Sequence, residues 1–165
     1  MRAYSLGAGH ATHLFNAMPP IHHRKPGVIG AAFDSGASTE IICDGLHVHP
    51  SAVRMAFALF AGRLSLISDS LRCAGMPDGE YELGGLPIRL SGGVARLLDG
   101  TIAGSCISVG EAVRRAVSFG IPLETAIEAA TIVPARAAKL DDCGSLAPGK
   151  RADITVLDDQ LNVKA

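Results

Sequence analysis

Residues 38–70 have the sequence STEIICDGLHVHPSAVRMAFALFAGRLSLISDS. The β-branched and apolar run over residues 38–46 predicts a strand that ends at Asp44-Gly45. A helix is predicted to begin at Pro50, since apolar side chains then recur about one helical turn apart. These side chains are Val53, Phe57 and Phe60. Residues 64–67 predict a second short strand. A strand–helix–strand unit of this kind builds a parallel sheet, so the predicted fold class is α/β.

Glycine pairs change the pattern after this unit. Gly84-Gly85, Gly92-Gly93 and Asp99-Gly100 separate short apolar segments and have the composition of hairpin turns. They predict a small antiparallel excursion over about residues 79–100.

The remainder of the chain predicts three helices and one strand. Ser108 and Glu111 have the spacing of a capping box, which opens the first of these helices. The helices are predicted over residues 112–119, 122–131 and 134–140. A strand is predicted over residues 150–158, after a turn at Pro148-Gly149.

Composition limits the classes of function. The chain has 165 residues, 48% of them hydrophobic and 19% charged, which is typical of one globular domain. Its 15 Lys and Arg residues balance 16 Asp and Glu residues, so no positive field indicates a nucleic-acid partner. No apolar stretch approaches the roughly 18 residues of a membrane span. The four cysteines lack metal-site spacing and are expected to be buried, reduced thiols in a cytoplasmic protein.

Two candidate catalytic residues follow neighbouring strands of the predicted unit. His47 and Asp69 both fall at the carboxyl ends of strands, and in a βα barrel such ends share the rim where active sites assemble. A histidine and an aspartate there, together with a metal ligand, suit metal-assisted hydrolysis. Asp69 has an alternative role as a helix cap. His47 and His49 have the spacing of a chelating pair, although Pro50 favours a single functional histidine.

Two further segments are candidates for binding. His10 and His13 lie three apart, so on a strand they face opposite sides, and either would need metal-binding partners from elsewhere. The loop over residues 99–105, DGTIAGS, is built from small residues, and its backbone is able to approach a ligand closely.

Seven stretches together resemble the N-acetylglucosamine-6-phosphate deacetylase family of the amidohydrolase superfamily. They are THLFNAM (12–18), RKPGVIGA (24–31), DGLHVHP (44–50), SDS (68–70), DGTIAGS (99–105), PARAAKL (134–140) and GSLAPGKRADITVLD (144–158). The family fold is a (β/α)₈ TIM barrel with a small β-sandwich. The resemblance implies that residues 1–143 form the carboxyl-terminal part of the barrel, strands six to eight. Residues 144–165 would return to the sandwich as one strand.

The resemblance also implies the roles of particular residues. His13 corresponds to a metal ligand, His47 to a catalytic and substrate-binding histidine, and Asp69 to the catalytic acid/base. The other implied substrate-binding residues are Asn16, Ala17, Arg24, Asp44, Gly45, Leu46, Ile102, Ala103 and Gly104. The family hydrolyses the acetamide of N-acetylglucosamine 6-phosphate to glucosamine 6-phosphate and acetate. It uses a divalent ion such as Zn²⁺, with Fe²⁺ as an alternative, and a homo-oligomer, a dimer in the complete protein, is expected.

Three interpretations of function follow. The family's other metal ligands, a glutamate and a histidine, lie upstream of this chain, so a fragment that is inactive alone is expected. A second interpretation is another amidohydrolase, acting on a related amino sugar or a cyclic amide; Asn16 and Arg24, on the phosphate side, argue against the cyclic amide. A third is a non-catalytic half-barrel that assembles with a partner chain.

Overall fold

A parallel sheet of three strands forms the centre of the chain. A computed structural model describes residues 2–164. The strands are β1 (His10–Ala11), β2 (Ser38–Ile42) and β3 (Leu64–Ile67), in that order across the sheet. Ile42 is paired with Ile67, so β2 and β3 end at the same edge. The predicted parallel α/β unit is therefore confirmed.

Helices connect these strands and cover one face. After α1 (Arg2–Ser5), α2 (Gly27–Ser35) leads from β1 to β2, and α3 (Pro50–Leu59) leads from β2 to β3. The His49 side chain accepts a hydrogen bond from the Ser51 backbone N–H, and Pro50 occupies the first helical turn, where its missing N–H costs nothing. Val53 and Phe60 are fully buried, as the predicted stripe requires. Helix α2 was not predicted, since GVIGAAFDS contains two glycines and begins without a side-chain cap.

An antiparallel sheet of four strands lies between β3 and the next helix. Its strands are β4 (Gly79–Leu83), β5 (Leu86–Ser91), β6 (Val94–Leu97) and β7 (Ile102–Gly104). The predicted excursion is confirmed and is one strand longer than expected. Residues 102–104 were predicted as a loop, but they pair with β6 across an irregularity at Ala95 and Arg96.

Three helices follow the antiparallel sheet and pack against β3. They are α4 (Val109–Ser118), α5 (Leu123–Ala130) and α6 (Ile132–Ala137). The main core lies between the parallel sheet and the helices and includes Leu14, Ile41 and Phe60. A second core of Cys73, Ile88, Leu90 and Ala95 stabilises the antiparallel sheet. No helix within residues 2–164 is long and apolar enough to cross a bilayer.

The tail, residues 144–165, differs from the predicted structure. Residues 150–158 were expected to form a strand of a small sandwich, but the only bridge in this part of the described chain joins Leu157 to Val163. A strand exists only through hydrogen bonds to a neighbour, and no strand among residues 2–164 pairs with 150–156. Ile154 and Val156 accordingly remain 59% and 50% exposed.

The accessible surface is large for the mass of the chain. It measures 9941 Å², whereas a folded monomer of 17.0 kDa exposes roughly 7,700 Å². Large hydrophobic residues contribute to the excess, among them Leu6, Leu98 and Leu146, each more than 70% exposed. An excess of about 2,200 Å² on one partner matches the area that permanent protein interfaces cover.

We therefore expect the 165-residue chain to self-associate in solution, because the apolar excess favours burial against another protein surface. Light scattering after gel filtration at several concentrations measures this, with a dimer or larger species expected. A monodisperse monomer that unfolds cooperatively would show instead that the chain is a domain in its own right.

Candidate functional site

The candidate residues lie along the carboxyl edge of the parallel sheet. His13 comes two residues after β1, Asp44 and His47 follow β2, and Asp69 follows β3. Because the three strands are parallel and adjacent, these segments leave the sheet on the same side. The common edge that was predicted for His47 and Asp69 is confirmed by the pairing of Ile42 with Ile67.

A cavity of about 330 Å³ opens beside this edge. One wall is the loop after β2, and the opposite wall runs from β7 to the start of α4. Five of the predicted substrate-binding residues line the cavity: Asp44, Leu46, His47, Ile102 and Gly104. The structure thus brings together two segments that are more than fifty residues apart in the sequence.

Asp44 orients His47. One carboxylate oxygen of Asp44 accepts hydrogen bonds from the backbone N–H groups of Leu46 and His47, both at 2.9 Å. The other oxygen lies 2.6 Å from Nδ1 of the His47 ring. A carboxylate only accepts, so this contact places the proton on Nδ1 and leaves the Nε2 atom free for another partner.

The electrostatics of Asp44 follow from this geometry. Asp44 is 3% exposed, and burial opposes ionisation of its carboxyl. The hydrogen bonds from the His47 ring and from the backbone of His47 and Leu46 outweigh burial and hold the pKa of the Asp44 carboxyl below its usual range. Asp44 is therefore a charged group that fixes the loop, and its predicted role in binding a sugar remains a prediction.

Asp69 is joined to the β7 wall of the cavity. Its carbonyl oxygen accepts from the Ser105 backbone N–H at 3.0 Å, and the Ser105 carbonyl accepts from Leu71 N–H at 3.0 Å. Gly104 permits this approach, since a Cβ there would lie 2.9 Å from Leu71 Cδ2 and 3.3 Å from the Asp69 carbonyl oxygen. Asp69 has a φ of 48°, in the left-handed region, which non-glycine residues enter mainly at turns and functional sites.

His13 is half-buried, and one nitrogen of its ring is buried without a hydrogen-bond partner. Its Nδ1 atom has no hydrogen bond, and its backbone φ is 30°. The Glu40 carboxylate holds the segment beside it, accepting from Thr12 Oγ1 at 2.7 Å and contacting His10 Nε2 at 2.8 Å. Burial opposes ionisation of Glu40, but the contacts with Thr12 and His10 leave the pKa of its carboxyl lowered. An unpaired, buried imidazole nitrogen is chemically suited to one bond with a metal ion.

No group of three or more His, Cys, Asp or Glu residues within residues 2–164 is arranged to hold a metal ion. His13 thus fits as one ligand, and the described residues do not supply the complete set.

The remaining predicted residues lie outside the lining of the cavity. Asn16 and Ala17 are in the loop after β1, where the Asn16 amide donates to the Leu14 carbonyl and Ala17 has a φ of 50°. Arg24 is exposed, with Nη1 2.7 Å from Nε2 of His23.

Two other predicted residues pack against neighbouring elements. Gly45 packs beneath α4, and Ala103 packs on the second core. Their roles in binding remain predictions.

Glu111 and Arg115 also line the cavity, and neither was predicted as a site residue. The capping box had indicated Glu111, but only as a cap. Ser108 Oγ does accept from the Glu111 N–H at 3.1 Å, while the Glu111 carboxylate is paired with Arg114 and Arg115. Arg115 lies in no sequence motif. Its Nη1 atom donates to the Asp44 backbone carbonyl, seventy-one residues earlier, and a local sequence pattern cannot predict such a contact.

A parallel sheet with a polar cavity at its carboxyl edge is typical of α/β enzymes. The chain belongs to the amidohydrolase family, whose family model matches residues 1–165.

Two relatives are similar over almost the whole chain. N-acetylgalactosamine-6-phosphate deacetylase of Escherichia coli O157:H7 is 43% identical, covering 98% of this chain and 44% of the relative. N-acetylglucosamine-6-phosphate deacetylase of Bacillus subtilis strain 168 is 44% identical, covering 98% of this chain and 42% of the relative. The chain thus spans less than half the length of these two relatives.

A solved structure has the same arrangement of the matched part. It is the D267A mutant of N-acetyl-D-glucosamine-6-phosphate deacetylase from Mycobacterium smegmatis in complex with N-acetyl-D-glucosamine-6-phosphate. The TM-score is 0.92 at 43% sequence identity, with 98% of this chain and 44% of that chain covered.

Asp44→Asn is expected to destabilise the chain by about 1–3 kcal/mol at pH 7, because an amide cannot replace all the hydrogen bonds of a buried carboxylate. The lowered pKa of Asp44 gives stability that is present above about pH 4 and is lost as the pH falls through the folded-state value. The variant should therefore lose less stability than the parent on acidification. Urea unfolding at pH 7 and pH 3, at one protein concentration, measures both effects.

Asp99→Asn is the matched control. The pKa of Asp99 is also lowered, by the hydrogen bond from the Thr101 N–H, but its carboxyl is fully exposed. Equal effects of the two substitutions would contradict a special role for Asp44.

Proposed function

We propose that this chain contributes His47, Asp69 and His13 to the active site of a metal-dependent deacetylase of N-acetylglucosamine 6-phosphate. The main support is the cavity that His47, with its ring held by Asp44, lines together with Ile102 and Gly104. Membership of the amidohydrolase family supports the reaction class, and the names of the relatives support the substrate class.

The three parallel strands are proposed to be the sixth to eighth strands of a (β/α)₈ barrel. The shared carboxyl edge of β1, β2 and β3 supports this, since barrel enzymes build their sites at that edge. The antiparallel sheet is then an insertion between the last strand and its helix, and residues 144–165 are the segment that leaves the barrel.

His13 would hold the divalent ion through its unpaired Nδ1 atom, together with ligands from outside residues 2–164. When bound, a divalent ion such as Zn²⁺ makes a water molecule acidic enough to supply hydroxide near neutral pH.

Asp69 is the proposed acid/base. It would accept a proton from the attacking water and then donate it to the departing amine nitrogen, because an amine is a poor leaving group as its anion. The attachment of its carbonyl to Ser105 and its left-handed backbone support a fixed position beside the cavity.

His47 is proposed to bind the acetyl carbonyl. Negative charge develops on that oxygen as hydroxide adds to the carbonyl carbon, and a fixed donor there stabilises the transition state. With Nδ1 held by Asp44, Nε2 would donate to the oxygen when the ring is protonated.

The phosphate is proposed to bind through Asn16, Ala17 and Arg24. A guanidinium presents a planar set of donors that matches phosphate oxygens. Arg24 is exposed, and the hydrogen bond of its side chain within residues 2–164 is to the neighbouring His23, so it is free to reorient toward an anion.

N-acetylgalactosamine 6-phosphate is a second candidate substrate. A relative with that name is 43% identical, almost the same as the 44% of the N-acetylglucosamine-6-phosphate relative. The two sugars differ only in the configuration of one hydroxyl group, so the sugar pocket decides between them.

We also propose a cytoplasmic homo-oligomer, a dimer in the complete protein. All four cysteines are free thiols, which suits a reducing compartment, although only Cys43 and Cys73 are buried. The resemblance to the deacetylase family supports the dimer. A non-catalytic half-barrel that assembles with a partner chain is the competing proposal, supported by the absence of a complete metal-binding group from residues 2–164.

The test joins this chain to the preceding part of the Bacillus subtilis relative, in place of the matched segment. The chimera is expected to release acetate from N-acetylglucosamine 6-phosphate, whereas the 165-residue chain alone should show no turnover with added Zn²⁺, because catalytic zinc needs about three protein ligands. Equal assays with N-acetylgalactosamine 6-phosphate identify the preferred sugar. A folded chimera that binds zinc but hydrolyses neither sugar would support the half-barrel proposal.

Asp69→Asn in this chimera is expected to lower kcat by about 10²–10⁴, the usual contribution of a positioned acid/base, with little change in substrate binding. No helix begins between β3 and β4 of the described chain, so the alternative role of Asp69 is to stabilise the turn after β3. In that case the substitution should lower stability and leave kcat nearly intact. Steady-state kinetics and a thermal melt of the same preparation separate the two roles. Asp34→Asn, at an exposed aspartate on helix α2 that does not line the cavity, is the control.

A further inference from the structure

We propose that Arg115 is a positioning residue for His47. Helix α4 would hold the loop after β2 through Arg115, and Asp44 in that loop would hold the imidazole ring. The proposal rests on the proposed function only for its consequence in catalysis, since the contacts themselves lie within the described chain.

The first link joins Arg115 to the loop. Its Nη1 atom donates to the Asp44 backbone carbonyl at 2.7 Å, across seventy-one residues of sequence. The Asp44 carboxylate is already engaged by Leu46 and His47. Both polar ends of this buried residue are thus occupied, one by helix α4 and the other by the loop that carries His47.

The second link fixes Arg115 itself. Its Nε atom donates to Oε1 of Glu111 at 2.8 Å, one helical turn earlier. A guanidinium has donors at fixed angles, so a single side chain is able to bridge a carboxylate and a carbonyl. A lysine ammonium lacks this geometry, and its flexible stem would hold the carbonyl less firmly.

Gly45, next to Asp44 in the loop after β2, lies close to the end of helix α4. Gly45 has a φ of 74°, and a Cβ at this position would lie 3.2 Å from the Phe119 ring and 3.7 Å from Arg115 Nη1. The loop therefore rests directly on the last turn of α4 and the residue after it. Since Ser108 and Glu111 line the opposite wall, α4 contacts both sides of the cavity and sets the distance between them.

Arg114 provides a natural comparison on the same helix. It also binds Glu111, with Nε donating to Oε2 at 2.9 Å, but its Nη1 donates to Asn162 Oδ1 in the tail. Loss of Arg114 would disturb Glu111 and the tail without removing the contact with Asp44. The two neighbouring arginines thus separate a general effect on α4 from an effect on the loop.

The first experiment follows backbone hydrogen exchange in the 165-residue chain, which requires neither metal nor substrate. In Arg115→Ala, exchange in a peptide covering residues 44–48 should accelerate about tenfold or more, the effect of losing a hydrogen bond to a charged group. Peptides covering β2 and β3 should keep their parent rates. Arg114→Ala should leave the 44–48 peptide unchanged and accelerate exchange around residues 158–162.

Nitrogen-15 NMR of the His47 ring gives the second readout. The parent should carry a proton on Nδ1, and Arg115→Ala should shift the ring toward a mixture of tautomers. Arg115→Lys should give an intermediate effect, and it replaces the alanine variant if that variant does not fold.

The third readout is turnover by the active chimera. Hydrogen exchange and NMR test the positioning of His47 without substrate, whereas turnover also requires that the proposed function is correct. Arg115→Ala should lower kcat about tenfold with KM nearly unchanged, while the Arg114→Ala chimera keeps its kcat. Unchanged exchange and an unchanged His47 tautomer in Arg115→Ala would overturn the proposal. Equal acceleration of exchange throughout β2 and β3, or a raised KM with kcat and tautomer unaltered, would also overturn it.

Discussion

The site depends on one buried carboxylate. Asp44 is 3% exposed and accepts hydrogen bonds from two backbone N–H groups and from Nδ1 of His47. A buried charge of this kind is tolerated only when its hydrogen bonds are satisfied, so the loop has a single favourable conformation. That conformation turns the Nε2 side of the imidazole away from Asp44 and places the His47 side chain in the cavity wall.

The rest of the fold holds two walls around this histidine. The parallel sheet brings the segments after β1, β2 and β3 to one edge, and the antiparallel sheet returns the chain through β7 to meet Asp69. Helix α4 then spans both walls. Four of the six non-glycine residues with a positive φ in the described chain follow strands at this edge: His13, Phe15, Ala17 and Asp69.

The sequence predicted what is encoded locally. Alternation of strand and helix over residues 38–67, the glycine pairs of the hairpins and the shared edge of His47 and Asp69 were all predicted correctly. Contacts between distant segments were not predictable: Arg115 acts through a carbonyl, which every residue possesses, and β7 is made a strand by its pairing with β6. No strand forms over residues 150–156 of the described chain, because the local sequence cannot reveal whether a neighbouring strand is present to pair with it.

The most direct test of the account is a crystal structure of the Asp69→Asn chimera with N-acetylglucosamine 6-phosphate bound. The account predicts that the sugar occupies the cavity between the Asp44–His47 loop and β7, with the acetyl oxygen within hydrogen-bond distance of His47 Nε2. It also predicts that Nδ1 remains bonded to Asp44. A sugar bound elsewhere, or a His47 ring turned away from Asp44 and from the acetyl group, would contradict it.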